Sequence, residues 1–274
     1  MPQVQVGDIN MYYEFYGEGE PLLLIAGLGD DLTGWTYQVA DFSKEYRVLV
    51  FDNRGTGRTD APDMPYSISM MADDTAGLME ALGIDQAHVL GVSMGGYIAQ
   101  ELAIRHPGRT KSLIMATTSI GSYTLETHIL YSRARAALDG LSPIVFFQLM
   151  LPFIFTDRTF EDPEMVQMAL DTIAGQPDRT PAYALSRQFI ACVEHSARGR
   201  LSRVAVPTLV IAGRNDPFVP FSLSEELAAA IPNARLAVLD GGGHGFNAEI
   251  SARFNRAVLD FLAQNALRKG QSSP

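Results

Sequence analysis

Cysteine is almost missing from this chain. One residue, Cys192, stands among 274. No disulfide can close within a monomer, and a thiolate metal site cannot be assembled from one ligand. Positive charge is scarce as well: 21 lysines and arginines face 31 aspartates and glutamates, a formal net charge of −10. A surface of that sign repels phosphate backbones and gives anionic membranes no attraction, so neither nucleic acid nor a membrane is expected as a partner. No window approaches the apolar length that spans a bilayer. The N-terminal MPQVQVGDIN has neither the basic patch nor the apolar core of a secretion signal. A soluble, cytoplasmic protein is therefore the expectation. Internal repeats and low-complexity tracts are also lacking, and the tail KGQSSP reads as a frayed end.

What the chain does have is an ordinary globular composition, 47% hydrophobic and 19% charged. Its length suits one large α/β domain or a domain carrying an insertion. QVQVGDINMYYEFYG alternates in polarity and carries β-formers around a turn at Gly7-Asp8. Continuous apolar runs follow in PLLLIAGLG, YRVLVFDNRGTG, AHVLGVS, KSLIMATTS, PTLVIAGRND and ARLAVLDGGGH, as expected of strands buried on both faces. Helical patterns lie between them, over residues 34–43, 67–83, 95–106, 222–231 and 248–266. The second begins at a capping serine, Ser67 or Ser69, and ends at Gly83. Alternating strands and helices predict a mostly parallel sheet with helices on both faces.

Residues 120–200 break that rhythm. Helical stretches near 124–139, 142–154, 161–175 and 181–197 are separated by prolines, with no convincing strand among them. The expected organisation is a core domain of residues 1–119 and 201–267, with a helical cap at 120–200 inserted into it.

One short stretch carries a chemical signal. Gly91-Val92-Ser93-Met94-Gly95 is a G-x-S-x-G sequence between a predicted strand and a predicted helix. So tight a turn forces the serine into strained backbone, and only glycines fit on either side. The hydroxyl is then held out over the sheet edge, where the helix N-terminus favours developing negative charge. Alone, the motif could still be a turn that merely packs a helix on a strand.

Together with GLGD, FDNRGTGRTD, GRNDPFVP and GGGHGFNAE, in that order, the chain resembles the α/β-hydrolase fold family over residues 4–264. The layout is similar to that of esterases and lactonases with a helical cap. This resemblance implies Ser93 as nucleophile, His244 as its base and Asp216 as the acid that orients the imidazole. Asp240 and Glu249 are rivals for the acid, being close to His244 in sequence. Of the other histidines, His88 and His106 read as structural, and His128 and His195 as surface or packing residues that could also line a pocket. The implied oxyanion donors are the backbone N–H groups of Met94 and Leu28. Many members carry His-Gly where this chain has Ala26-Gly27, which removes a side chain that often supports that loop.

The reaction implied is cleavage of a small-molecule carboxylic ester or lactone through an acyl-enzyme, with no cofactor. Enol-lactones and acyl-homoserine lactones are among the substrates that the resemblance suggests. Cofactor-free perhydrolysis, C–C bond hydrolysis and ligand sensing without turnover stay open on the same triad. Haloalkane dehalogenation and epoxide hydrolysis are disfavoured, since both need an aspartate where Ser93 stands. Asp52–Gly57 contains G-x-G with no third glycine in register, a poor dinucleotide site that reads better as a charged turn held by Arg54. Asp30 and Asp31 have no companion cluster for a metal. Trp35, Phe146, Met150 and Phe153 are candidates for an apolar acyl pocket, equally readable as core.

Overall fold

A computed structural model describes residues 2–174 and 180–265, except the side chains of residues 143, 144, 146, 168, 169 and 172–174. Gly175, the residues from 266 onward and the KGQSSP tail lie outside the described residues. Eight strands form one sheet: β1 (Gln3–Val6), β2 (Ile9–Tyr16), β3 (Glu20–Ile25), β4 (Tyr46–Phe51), β5 (Ala87–Val92), β6 (Thr110–Ala116), β7 (Thr208–Gly213) and β8 (Ala234–Leu239). Their order is β1-β2-β4-β3-β5-β6-β7-β8, antiparallel at β1 and β2 and parallel from β4 onward. The alternating N-terminal segment is thus two strands. Gly7, at φ +55°, makes the turn between them.

The continuous apolar runs have a direct cause. Successive side chains of a strand point to opposite faces. Leu22 and Leu24 of β3 enter one core, while Leu23 and Ile25 enter the other; Val48 and Val50 part from Leu49 and Phe51 in the same way. One core is closed by α2 (Ile68–Ala81) and α3 (Met94–Arg105), through Leu78, Met79, Ile98 and Leu102. The other is closed by α1 (Thr36–Phe42) and the C-terminal helix, through Phe42, Phe254, Val258 and Leu262. With both faces covered, no position in a central strand is left for a polar residue to face water.

Local signals set most helix ends. Ser67 Oγ accepts from Met70 N at 3.1 Å and caps α2, and Gly83 follows the helix at φ +67°. Between β6 and β7 run α4 (Thr124–Leu138), α5 (Pro143–Ile154), α6 (Asp157–Phe160), α7 (Pro163–Ala174) and α8 (Ala182–Glu194). The expected helix at 161–175 begins later, because Asp162 caps it and Pro163 takes its first position; Asp162 Oδ1 accepts from Glu164 N at 3.1 Å. After α9 (Phe221–Ala229), between β7 and β8, the expected helix at 248–266 is two, α10 (Phe246–Glu249) and α11 (Ser251–Asn265). The break follows Glu249, whose side chain is tied to Thr156, Thr159 and Gly243.

The helical segment leaves and rejoins the sheet at one place. Gly121 and Ser196 form an antiparallel bridge, and Ala197 N donates to Ile120 O at 2.8 Å. α4 and α8, its first and last helices, pack on each other. Arg54 does hold the charged turn after β4. Its guanidinium makes paired contacts to Asp74 (2.7 Å) and Asp8 (2.7 and 3.1 Å).

Candidate active site

Ser93 follows β5 and opens α3 with φ 55° and ψ −119°, left-handed backbone that is rare for any residue with a Cβ. Such a conformation costs about 1–3 kcal/mol and persists only where the surroundings fix it. Here they do. Ser93 N donates to Ala116 O at 3.0 Å, and Ser93 O accepts from Gly96 N at 2.8 Å. The flanking glycines have a steric reason. A Cβ on Gly91 would stand 2.1 Å from Gly95 O, and one on Gly95 would stand 2.0 Å from Ile25 O. Both obstacles are backbone atoms in the core. Gly95→Ala is therefore expected to destabilise the fold by about 3 kcal/mol or more. Urea denaturation checks this; an unchanged midpoint would show that the turn has slack.

The structure brings the three expected side chains together from distant parts of the chain. His244, on the loop after β8, places Nε2 3.1 Å from Ser93 Oγ and Nδ1 3.0 Å from Asp216 Oδ2. Asp216, on the loop after β7, is almost fully buried. Its Oδ1 accepts from Phe218 N and Val219 N, both at 2.8 Å, which leaves Oδ2 for the imidazole. The rivals for the acid are occupied elsewhere. Asp240 pairs with Arg214 at 2.6 Å, while Glu249 accepts from Gly243 N and Thr159 Oγ1. Glu249 thus steadies the histidine loop without touching the imidazole.

The amides of Leu28 and Met94 carry no hydrogen bond among the described residues. Both flank Ser93: Met94 is the next residue, and a Cβ on Gly27, the residue before Leu28, would stand 3.6 Å from Ser93 Cβ. The loop lacks the histidine common in the family, and other groups hold it. Asn53 Nδ2 donates to Ala26 O at 3.1 Å. Gln188 of α8, fully buried, accepts from Gly29 N at 3.0 Å and donates to Arg54 O and Thr56 Oγ1. The sequence reading missed Asn53 and Gln188. Gln188 belongs to no motif and Asn53 read only as part of a charged turn, because their roles exist only through contacts 159 and 27 positions away.

The charges around His244 set its proton affinity. Burial opposes the imidazolium, but Asp216, then Glu126 and Asp30, outweigh it and raise the pKa above the ordinary 6.5. Glu126 of α4 is buried, and that burial lifts its own carboxyl to about 7, against the hydrogen bonds from Tyr123 N and the Tyr97 hydroxyl. Phe218 was also missed; its ring meets His244 edge to face at 5.0 Å.

The pocket candidates divide. Phe153 lies 6.5 Å from Phe218, ring to ring, and so approaches the site. Met150 is buried in the same core cluster. Phe146 lies outside the described side chains. Trp35 is a correction: it is 2% exposed in the core closed by α1 and α11, among Leu22, Leu24 and Phe42. It is the last residue of a 3-10 turn, Leu32–Trp35. The other histidines are accounted for: His88 bonds Ser112 and Glu20, His106 pairs with Asp73, His128 is exposed, and His195 packs on Tyr97 at 4.7 Å.

The sequence pattern of the α/β hydrolase fold matches residues 20–249. The chain belongs to the α/β-hydrolase fold family. Two curated members are similar along nearly their whole length. One is a protein of Azorhizobium caulinodans named as a candidate carbamate hydrolase, RutD, 32% identical over 96% of this chain and 99% of its own. The other is 3-oxoadipate enol-lactonase 2 of Acinetobacter baylyi, 34% identical over 92% of each. Among solved structures, the enol-lactonase of Burkholderia xenovorans LB400 superposes with a TM-score of 0.88, at 31% identity over 96% of this chain and 100% of that one. This member of the family is accordingly a hydrolase of the α/β fold. Among the described residues no helix is long and apolar enough to cross a membrane, and no group of three metal-ligating side chains occurs.

Proposed function

We propose that this hydrolase cleaves a small carboxylic ester or lactone through an acyl-enzyme on Ser93. The observation that carries the reading is the unbroken hydrogen-bonded chain from Ser93 Oγ through His244 to Asp216. The His244 imidazole takes the serine proton as Oγ attacks the carbonyl carbon. Asp216 holds Nδ1–H, so that Nε2 is the basic nitrogen, and stabilises the imidazolium as it forms. The Leu28 and Met94 amides donate to the oxyanion, and α3 aims its N-terminus at the same charge. His244 then returns the proton to the leaving alcohol. Water enters by the same route in reverse and frees the acid. In a lactone the leaving alcohol stays tethered, so one hydroxy acid is the product. We further propose that residues 120–200 act as a cap over a core of 1–119 and 201–267. The ties from Gln188 to the loop beside Ser93, and the approach of Phe153 to Phe218, support that assignment.

A fluorophosphonate probe tests the nucleophile: mass spectrometry is expected to find one added phosphonyl group, on the peptide that holds Ser93. Labelling elsewhere, or none, removes the reading. A panel of esters and lactones graded in acyl length, read as kcat/KM, then maps the acyl pocket.

The pH profile follows from the charges at the site. The base works only when neutral, and His244 has its pKa raised. kcat/KM is thus expected to fall on the acid side through an apparent pKa above 6.5, the ordinary value of a histidine. Glu126→Gln removes one of the carboxylates that hold the proton, and the acid limb moves to lower pH. An upward move of that limb would contradict the assigned coupling.

A further inference from the structure

The chemistry above leaves one ionisable group beside the nucleophile without a task. Asp30 ends the loop that carries the Leu28 amide, and its N–H is held by Gly27 O at 3.4 Å. Its Oδ2 lies 3.4 Å from the point where a side chain on Gly27 would begin, and that point is 3.6 Å from Ser93 Cβ. The neighbouring acids all have structural work. Asp31 Oδ1 accepts from Thr33 N at 2.8 Å and caps the 3-10 turn. Asp52 accepts from Leu32 N and Arg58 N, each at 2.8 Å. No described residue donates a hydrogen bond to the Asp30 carboxylate.

Asp30 is exposed to solvent, yet protein crowds its carboxyl. That crowding, and then Asp31, push its pKa up to about 6, against the pull of His244. At neutral pH the carboxylate is mostly ionised. The charged groups acting most strongly on His244 are Asp216, Glu126 and Asp30, all acidic. A carboxylate so placed, with no donor among the described residues, is open to accept hydrogen bonds from a bound ligand. A cationic donor meets it with a charge-assisted bond, and a second anion meets repulsion.

We propose that Asp30 determines specificity by receiving an amino or ammonium group on the acyl part of the substrate, and that acyl groups ending in a carboxylate are turned away. The acyl side is assigned because Asp30 shares its loop with the Leu28 amide, which receives the carbonyl oxygen. This rests on the acyl-transfer reading.

Three phenyl esters of similar length test it at pH 7.5: butyrate, β-alaninate and hemisuccinate. They differ in ending in methyl, ammonium or carboxylate. The expected order of kcat/KM is β-alaninate above butyrate by about tenfold, and hemisuccinate below butyrate by about a hundredfold. Asp30→Asn keeps the shape and removes the charge. It is expected to cut the β-alaninate-to-butyrate ratio about tenfold and to raise the hemisuccinate-to-butyrate ratio. Ratios indifferent to Asp30→Asn overturn the inference, whatever happens to absolute rates. The corresponding anilides, which resist cleavage, give a second reading by calorimetry on the wild type and Asp30→Asn. The ammonium anilide should bind the wild type most tightly and lose its advantage in the variant; equal binding of the three to the wild type overturns the proposal. If Ser93→Ala hydrolyses the esters as fast as the wild type, the acyl-transfer reading fails, and the anilide order decides Asp30 on its own.

Discussion

Ser93→Ala is expected to slow ester hydrolysis by at least about ten thousandfold. The magnitude follows from how the site is built. In the proposed reaction Ser93 Oγ bonds to the carbonyl, and His244 Nε2, 3.1 Å away, takes the proton. Without the hydroxyl, the imidazole can only activate a water that nothing positions. The amides at Leu28 and Met94 remain, so some catalysis over bulk water should survive. The fold should survive as well. Alanine keeps the Cβ, so the strain at φ 55° is shared by both forms, and the carbonyl bonds to Gly96 N and Tyr97 N involve only backbone. The thermal midpoint should stay within a few degrees, which corresponds to about 1 kcal/mol or less. Turnover of p-nitrophenyl acetate and butyrate gives the comparison. Equal rates for the two proteins would end the nucleophile assignment.

Asp216→Asn should cost about ten thousandfold in kcat, for a different reason. Asp216 Oδ1 is committed to two amides, Phe218 N and Val219 N. An asparagine there keeps its oxygen on those donors, because the alternative sets two N–H groups against its own NH2. Its nitrogen must then face His244 Nδ1. An NH2 donates where the carboxylate accepted, so Nδ1 becomes the acceptor and Nε2 takes the proton. The imidazole stays in place but presents N–H to the serine, and the base is lost. Asp240→Asn is the control. That carboxylate pairs with Arg214 at the surface, and its loss should leave kcat within about threefold, as is usual for an exposed pair. If Asp240→Asn were the damaging change and Asp216→Asn the mild one, the acid would have been misassigned.

The legible and the hidden parts of this molecule differ in kind. Strands were legible because burial on both faces leaves no polar alternation to confuse, as in Leu22–Ile25 and Val89–Val92. Ser67 and Gly83 marked the bounds of α2 because caps are local chemistry. Ser93, Asp216 and His244 were legible as members of motifs that each follow a strand, and the resemblance supplied their order. The failures share a cause too. Trp35 read equally as pocket or core, since an aromatic near the loop beside Ser93 suits either place, and only its burial in the folded chain tells them apart. Glu126 gave no signal as one acid in a polar helix, yet it sits where it raises the proton affinity of His244. Asp30 was seen only as half of a possible metal pair. Its proposed role rests on having no hydrogen-bond donor among the described residues, and partners across the fold cannot be counted along a chain.

The sequence by itself determined which backbone forms are cheap: continuous apolar runs for a double-faced sheet, a serine between glycines for a strained turn, an acidic composition that disfavours polyanions. Those depend on neighbours within a few residues, so the order of the letters carries them. Tertiary structure alone decided which carboxylate meets the imidazole, which groups hold the loop beside Ser93, and which acid near Ser93 has no donor among the described residues. Hydrogen bonds and charge act through space at a few ångströms, and the groups concerned are separated by 28 positions for Asp216 and His244 and 159 for Gly29 and Gln188.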